Sequence, residues 1–232
     1  GANNTAVGRQ ALEANTTADY NTAVGALALD AVTTSGSHTA IGYQALSATT
    51  TGAQQTAVGA YALAANTTGT QNIAIGWGAL NANTTGDHNT AVGFAALYTQ
   101  TTDGDQNNAF GRYALYSNTT GGQNAAYGNN TLENNTTGSA NIAIGHYALN
   151  DNTTGGNNTA LGRSALDVNT TGSNNVAIGR DALGANTTAD DNTAVGYKAL
   201  NANTTGLYNV GIGASALRNA TTADGNTALG FH

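Results

Sequence analysis

Apolar positions recur along this chain every 17 residues. The run Thr5-Ala6-Val7-Gly8 returns as Thr22-Ala23-Val24-Gly25, Thr39-Ala40-Ile41-Gly42 and Thr56-Ala57-Val58-Gly59, and reaches Thr227-Ala228-Leu229-Gly230. Fourteen copies start and thirteen are complete, on the consensus N-T-A-V-G-x-x-A-L-x-x-N-T-T-G-x-x. One extra residue falls in the loop Asp103-Gly104-Asp105-Gln106. A unit this short cannot hold the helix pairs of ankyrin, TPR or HEAT repeats. Its first run alternates with period two, which sends Thr and Val to one face of a strand and Ala and Gly to the other. Asn-Thr-Thr-Gly supplies one turn, and the freely varying pair after the first glycine supplies the second. The pattern predicts an all-β fold: a parallel β-roll or β-solenoid of 17-residue coils with two short strands per coil. Residues 1–232 form one repeat array.

Composition removes most functional classes. Of 232 residues only 19 are charged, 6 Lys+Arg and 13 Asp+Glu, and there is no Cys, Met or Pro. Without cysteine there is no disulfide framework, thiolate site or cysteine nucleophile. A net charge of -7 from scattered acids argues against a nucleic-acid surface. No apolar run approaches the ~20 residues of a membrane span. His38, His88, His146 and His232 fall in different columns of the repeat, so they build no regular cluster. The expectation is a protein that is not an enzyme and uses no cofactor. The missing initiator Met and the lack of atypical end repeats read as a slice of a longer fibre.

Each coil offers only two sizeable apolar side chains, the Val or Ile before the glycine and the Leu after it. That is little to set against the entropy of fixing seventeen residues. The opposite stripe is small: Ala6 and Gly8, Ala74 and Gly76, Ala143 and Gly145. Small residues let another backbone approach closely. The expectation is a homotrimer packed along this seam, with end-to-end stacking as a further self-contact.

The unit Asn72-Ile73-Ala74-Ile75-Gly76, followed by Ala79-Leu80 and a glycine turn, resembles the head repeat of YadA-type trimeric autotransporter adhesins. The longer arm Asn83-Thr84-Thr85-Gly86 departs from that repeat and is similar to shaft repeats of some phage tail fibres. The resemblance covers essentially the whole chain. It implies a trimeric, left-handed parallel β-roll outside a cell or virion, acting in attachment. A host surface glycan or protein is the implied partner.

Candidate sites are few. Exposed aromatics on the variable turn, Tyr43, Trp77, Phe94 and Tyr197, with Tyr61, Tyr113 and Tyr147 one residue later, suit stacking on sugar rings; packing between coils is the competing reading. Asn15, Asn66, Asn83, Asn118, Asn135, Asn152, Asn169, Asn186 and Asn203 are formal glycosylation sequons. The favoured reading makes them turn residues that bond local backbone, because Val32, Thr49, Gln100 and Ala220 replace them freely. The second Asn column, from Asn4 and Asn21 onward, is expected to form a stacked amide ladder. Asp103, Asp105 and Asn107 offer three oxygens, short of the six to eight that calcium takes. The favoured function is a structural or adhesive fibre segment. A self-assembling filament is a second reading. An ice- or surface-binding solenoid is a third, suggested by the row Thr16, Thr33, Thr50 and Thr67.

Overall fold

The computed structural model describes residues 1–102 and 104–231. The chain divides into two compact units, Gly1–Thr120 and Gly121–His232. Each is a parallel β-solenoid, and together they make about 13 coils of roughly 17 residues with no helix among the described residues.

The first unit carries β1 (Thr5–Val7), β2 (Thr22–Val24), β3 (Thr39–Ile41), β4 (Thr56–Val58), β5 (Ile73–Ile75), β6 (Thr90–Val92) and β7 (Asn108–Phe110). The second carries β8 (Ala125–Tyr127), β9 (Ile142–Ile144), β10 (Thr159–Leu161), β11 (Val176–Ile178), β12 (Thr193–Val195), β13 (Val210–Ile212) and β14 (Thr227–Leu229). Pairing is parallel and sets like over like: Thr22 lies opposite Thr39, Ala23 opposite Ala40 and Val24 opposite Ile41. The repeat length is therefore the register itself. A one-residue slip would move every inward methyl to the outside.

Each coil holds one three-residue strand, not the two expected. After the glycine the chain keeps turning, because the second residue on and the leucine both have positive φ, 54° at Gln44 and 53° at Leu46. Extended pairing needs negative φ, so no second strand forms. The coils still bond across this arm: Leu46 N donates to Ala62 O at 3.1 Å and Gln44 N to Ala26 O at 3.1 Å. A left-handed leucine costs about 1–2 kcal/mol. Burying its side chain returns about 1.5–3 kcal/mol, and Leu29, Leu46, Leu63 and Leu80 are all fully buried.

The small-residue seam is not a surface. Ala74 and Ala143 are fully buried inside a single chain. Gly76 and Gly145 follow them into the turn, with φ of 134° and 132°. A Cβ built on Gly145 would lie 2.6 Å from Gly162 O, so the crowding that selects glycine comes from the next coil and not from a sister chain. Ala6 and Gly8 are exposed only because they sit in the first described coil. The physical reason is thickness: the coil is so thin that only a methyl fits beneath its strand. The Val/Ile column, counted above as core, points outward instead. Ile75 and Ile144 are 39% and 40% exposed.

Candidate functional site: the variable edge

The invariant positions build the coil, so chemistry can vary only at the six free positions of the repeat. Three of these gather most of the distinctive side chains: the two residues after the strand glycine and the residue after the leucine. All six cations of the chain stand there, namely Arg9, Arg112, Arg163, Arg180, Lys198 and Arg218. So do Tyr43, Tyr61, Trp77, Phe94, Tyr98, Tyr113, Tyr116, Tyr147 and Tyr197.

In the first unit the rings form one strip. Tyr43 meets Tyr61 edge to face at 5.3 Å between centroids, and Tyr61 meets Trp77 the same way at 6.2 Å. Trp77 stacks on Phe94 at 4.9 Å and on Tyr98 at 6.1 Å. The strip continues through Phe94–Tyr113 at 5.6 Å and Tyr98–Tyr116 at 5.4 Å, with Tyr113 and Tyr116 closing it at 5.2 Å. The Arg112 guanidinium covers the Tyr113 ring at 4.2 Å. Sequence reading found Tyr43, Trp77 and Phe94 but missed Tyr98 and Tyr116, which come from the column after the leucine. Their signal was there: two consecutive units carry Tyr at that position. The stacked pairs lie within 10–14° of parallel, so each of these rings has a neighbouring ring against a face. Packing between coils is thus the first work of these rings. An apolar strip nonetheless remains open, since Tyr43, Trp77 and Phe94 are each exposed.

Tyr197 belongs to the second unit and to a different environment. Arg180 lies 5.6 Å and Lys198 Nζ 5.4 Å from its ring centroid. Nearby, Ser164, Asp167, Asp181, Gly184, Lys198 and Asn201 line an open notch of about 340 Å³. Arg180 Nε contacts Asp181 Oδ2 at 3.3 Å. Burial pushes the Asp167 carboxyl above its usual range, and the carboxylates of Asp151 and Asp181 add to the effect against a hydrogen bond from Ser164.

The remaining candidates are occupied by structure. Asn66, Asn83, Asn118, Asn135, Asn152, Asn169, Asn186 and Asn203 are fully buried, and Asn15 is half-buried in the first coil. Asn83 Nδ2 donates to Asn66 Oδ1 at 3.0 Å and to Gly86 O at 3.1 Å, and Asn15 Nδ2 donates to Ala18 O at 3.2 Å. This is the turn reading, extended into a ladder. A glycan on Nδ2 has no way out of that column while the coil is folded. The second asparagine column runs beside it as expected: Asn158 Oδ1 accepts from Asn175 N at 3.0 Å, and Asn158 Nδ2 donates to Gly172 O at 2.8 Å. The first threonine of most pairs is also engaged, as when Thr67 Oγ1 donates to Thr84 O at 3.0 Å.

Asp103 lies outside the described residues. Asp105 Oδ1 accepts from Asp87 N at 2.7 Å, while Asn107 is fully buried and donates Nδ2 to Gln100 Oε1 at 3.0 Å. These two side chains serve different coils and do not converge. Among the described residues no three His, Cys, Asp or Glu side chains are placed to hold a metal ion, and no helix is long and apolar enough to cross a membrane. The likeness to adhesin heads and fibre shafts rests on the repeat motif alone, for no protein-family model and no curated protein matches this chain.

Proposed function

We propose that this chain is a rigid segment of an attachment fibre displayed outside a cell or virion, with the variable edge as its contact surface. One observation carries the reading: in each unit the fixed coil leaves the same variable columns free, and three of these columns hold all six cations and most aromatic rings of the chain. Such a division, constant scaffold against variable edge, is how rigid repeats present binding surfaces. The aromatic strip Tyr43–Trp77–Phe94 offers the apolar contact and the charged half of the edge the polar one. Binding of the chain to immobilised cell-surface glycans, compared with Trp77→Ala, tests this. Loss of capture in the variant supports the strip, whereas no capture by the parent chain removes the reading.

Sister copies of the chain are proposed as the cover for the outer face of the sheet. In each unit the strand columns there contain no charged residue. An apolar column with the period of the coil is covered continuously only by a surface of the same period, and a second copy has it. A homotrimer remains the proposed assembly, now through Val24, Ile41, Ile75 and their equivalents. Light scattering decides: a solution mass three times the 23.0 kDa of one chain supports it, and the mass of one chain refutes it. The ice-binding alternative loses ground at its own row, because hydroxyls there are already engaged: Thr16 Oγ1 donates to Thr33 O at 3.0 Å, Thr50 Oγ1 to Thr67 O at 3.2 Å and Thr67 Oγ1 to Thr84 O at 3.0 Å. A thermal-hysteresis assay with no activity would close that reading.

A further inference from the structure

We infer that Tyr98 and Tyr116 are a site of oxidative cross-linking, at which a carbon–carbon bond between the two phenol rings staples one coil to the next. The inference is independent of the attachment reading, since it rests on composition and ring geometry. Oxidants attack thiol and thioether sulfur first. This chain has no Cys and no Met, so its 10 Tyr and single Trp are the side chains most open to one-electron oxidation.

Geometry then singles out one pair. Both residues belong to the first unit and follow a coil leucine, Leu97 and Leu115, so they leave equivalent positions on successive coils. Their ring centroids lie 5.4 Å apart and their planes within 10°. Rings that run alongside each other in this way bring the carbon ortho to one hydroxyl beside its counterpart on the other. Tyr43–Tyr61 and Tyr113–Tyr116 are as close, at 5.3 and 5.2 Å, but stand at 90° and 73°, which aims an edge of one ring at the face of the other. Tyr98 and Tyr116 are half-buried, held by the fold yet not sealed from water. The exposed Trp77 stacks on Tyr98 at 6.1 Å, so an electron lost from the indole is replaced from the same pair. The bond closes the loop that carries the chain's one extra residue, and a cross-link stabilises by restricting the unfolded chain.

The chemistry balances with a hydroperoxide as oxidant. Each phenol loses one electron and its hydroxyl proton. The two phenoxyl radicals couple through their ortho carbons, and the ortho hydrogens shift to the oxygens to restore the rings. Hydrogen peroxide, acting through a haem peroxidase, takes up both electrons and both protons, breaks its O–O bond and leaves as two waters.

The test treats the full chain at low micromolar concentration with hydrogen peroxide and a haem peroxidase, then unfolds it and digests it with trypsin. Cleavage after Arg112 separates Tyr98 from Tyr116, so their bond ties peptide 10–112 to peptide 113–163. The expected product is a single chain lighter by two hydrogens, with these two peptides joined and the fluorescence of a biphenol. Tyr98→Phe and Tyr116→Phe keep both rings, and each is expected to abolish the joined pair at unchanged circular dichroism. Tyr43→Phe, in the same strip, is expected to leave it intact. Joined peptides that survive either of the first two variants overturn the assignment, as does their loss in Tyr43→Phe. So does coupling found only in covalent dimers, through the more exposed Tyr20 and Tyr208, or no coupling at all.

Discussion

Asn152→Ala tests whether the buried asparagine column holds the coils together. Asn152 is fully buried. Its Nδ2 donates to Asn135 Oδ1 at 2.8 Å and to Gly155 O at 2.9 Å, and its Oδ1 accepts from Asn169 Nδ2 at 2.9 Å. Alanine removes three hydrogen bonds and leaves buried partners on the coils below and above. At about 1 kcal/mol net per bond, with a further penalty for each stranded group, the loss is about 3–5 kcal/mol. Stacked repeats unfold by neighbour interactions and not as one body, so a single unfolding midpoint would blur the effect. Native-state hydrogen exchange resolves it. The amides of Thr136 and Thr153, bonded to Thr153 O at 2.9 Å and Thr170 O at 2.8 Å, should exchange from a hundredfold to several thousandfold faster. Val210, three coils away, should hardly change. Asn152→Thr should cost less, because Thr49 already stands in this column and its Oγ1 donates to Asn66 O at 3.3 Å. Acceleration of less than fivefold at Thr153, or equal acceleration at Val210, would refute the ladder as the source of coil cohesion.

Three further outcomes follow from the same geometry. Gly145→Ala places a Cβ 2.6 Å from Gly162 O at a φ of 132°, and should cost about 2–4 kcal/mol or more, read as lost protection in the adjoining coils. His38 replaces the column asparagine, and burial pushes its pKa down to about 4 against the opposing pull of the Gly52 carbonyl. The folded coil therefore binds fewer protons than the unfolded chain between pH 6.5 and 4. Stability is complete above pH 6.5 and falls by about 3 kcal/mol as pH drops towards 4. Hydrogen exchange in the coils around His38 at the two pH values should show this, and His38→Asn should abolish the difference. Ile144→Lys, on the outer sheet face, should reduce the solution mass to that of one chain while leaving circular dichroism unchanged; an unaltered mass would place the assembly contact elsewhere.

The repeat made much of this molecule legible in advance. Seventeen-residue spacing fixes a parallel ladder, because like residues must lie over like when every coil is the same length. The glycine, leucine and asparagine columns announced which positions geometry dictates, and the free columns announced where recognition could vary. The sequence pointed to Tyr43, Trp77, Phe94 and Tyr197 as one set; the first three join one strip, Tyr43 by way of Tyr61, while Tyr197 belongs to the other unit. Tyr98 and Tyr116 escaped because joining the strip requires knowing that the residue after the leucine shares an edge with the residue after the glycine.

Period two also determined that Thr and Val share one face and Ala and Gly the other. It did not say which face is the inside. Ordinary reasoning buries the larger apolar side chain, and here that reasoning points the wrong way. Tertiary structure decided it through thickness: with leucine and, in most coils, two asparagines already in the interior, there is room beneath the strand for a methyl and no more. The second strand failed for a related reason. A closed coil of seventeen residues must bend hard, and the left-handed turns at Gln44 and Leu46 that close it cannot also lie extended. Spacing set the ladder, and closure of the coil set what faces in.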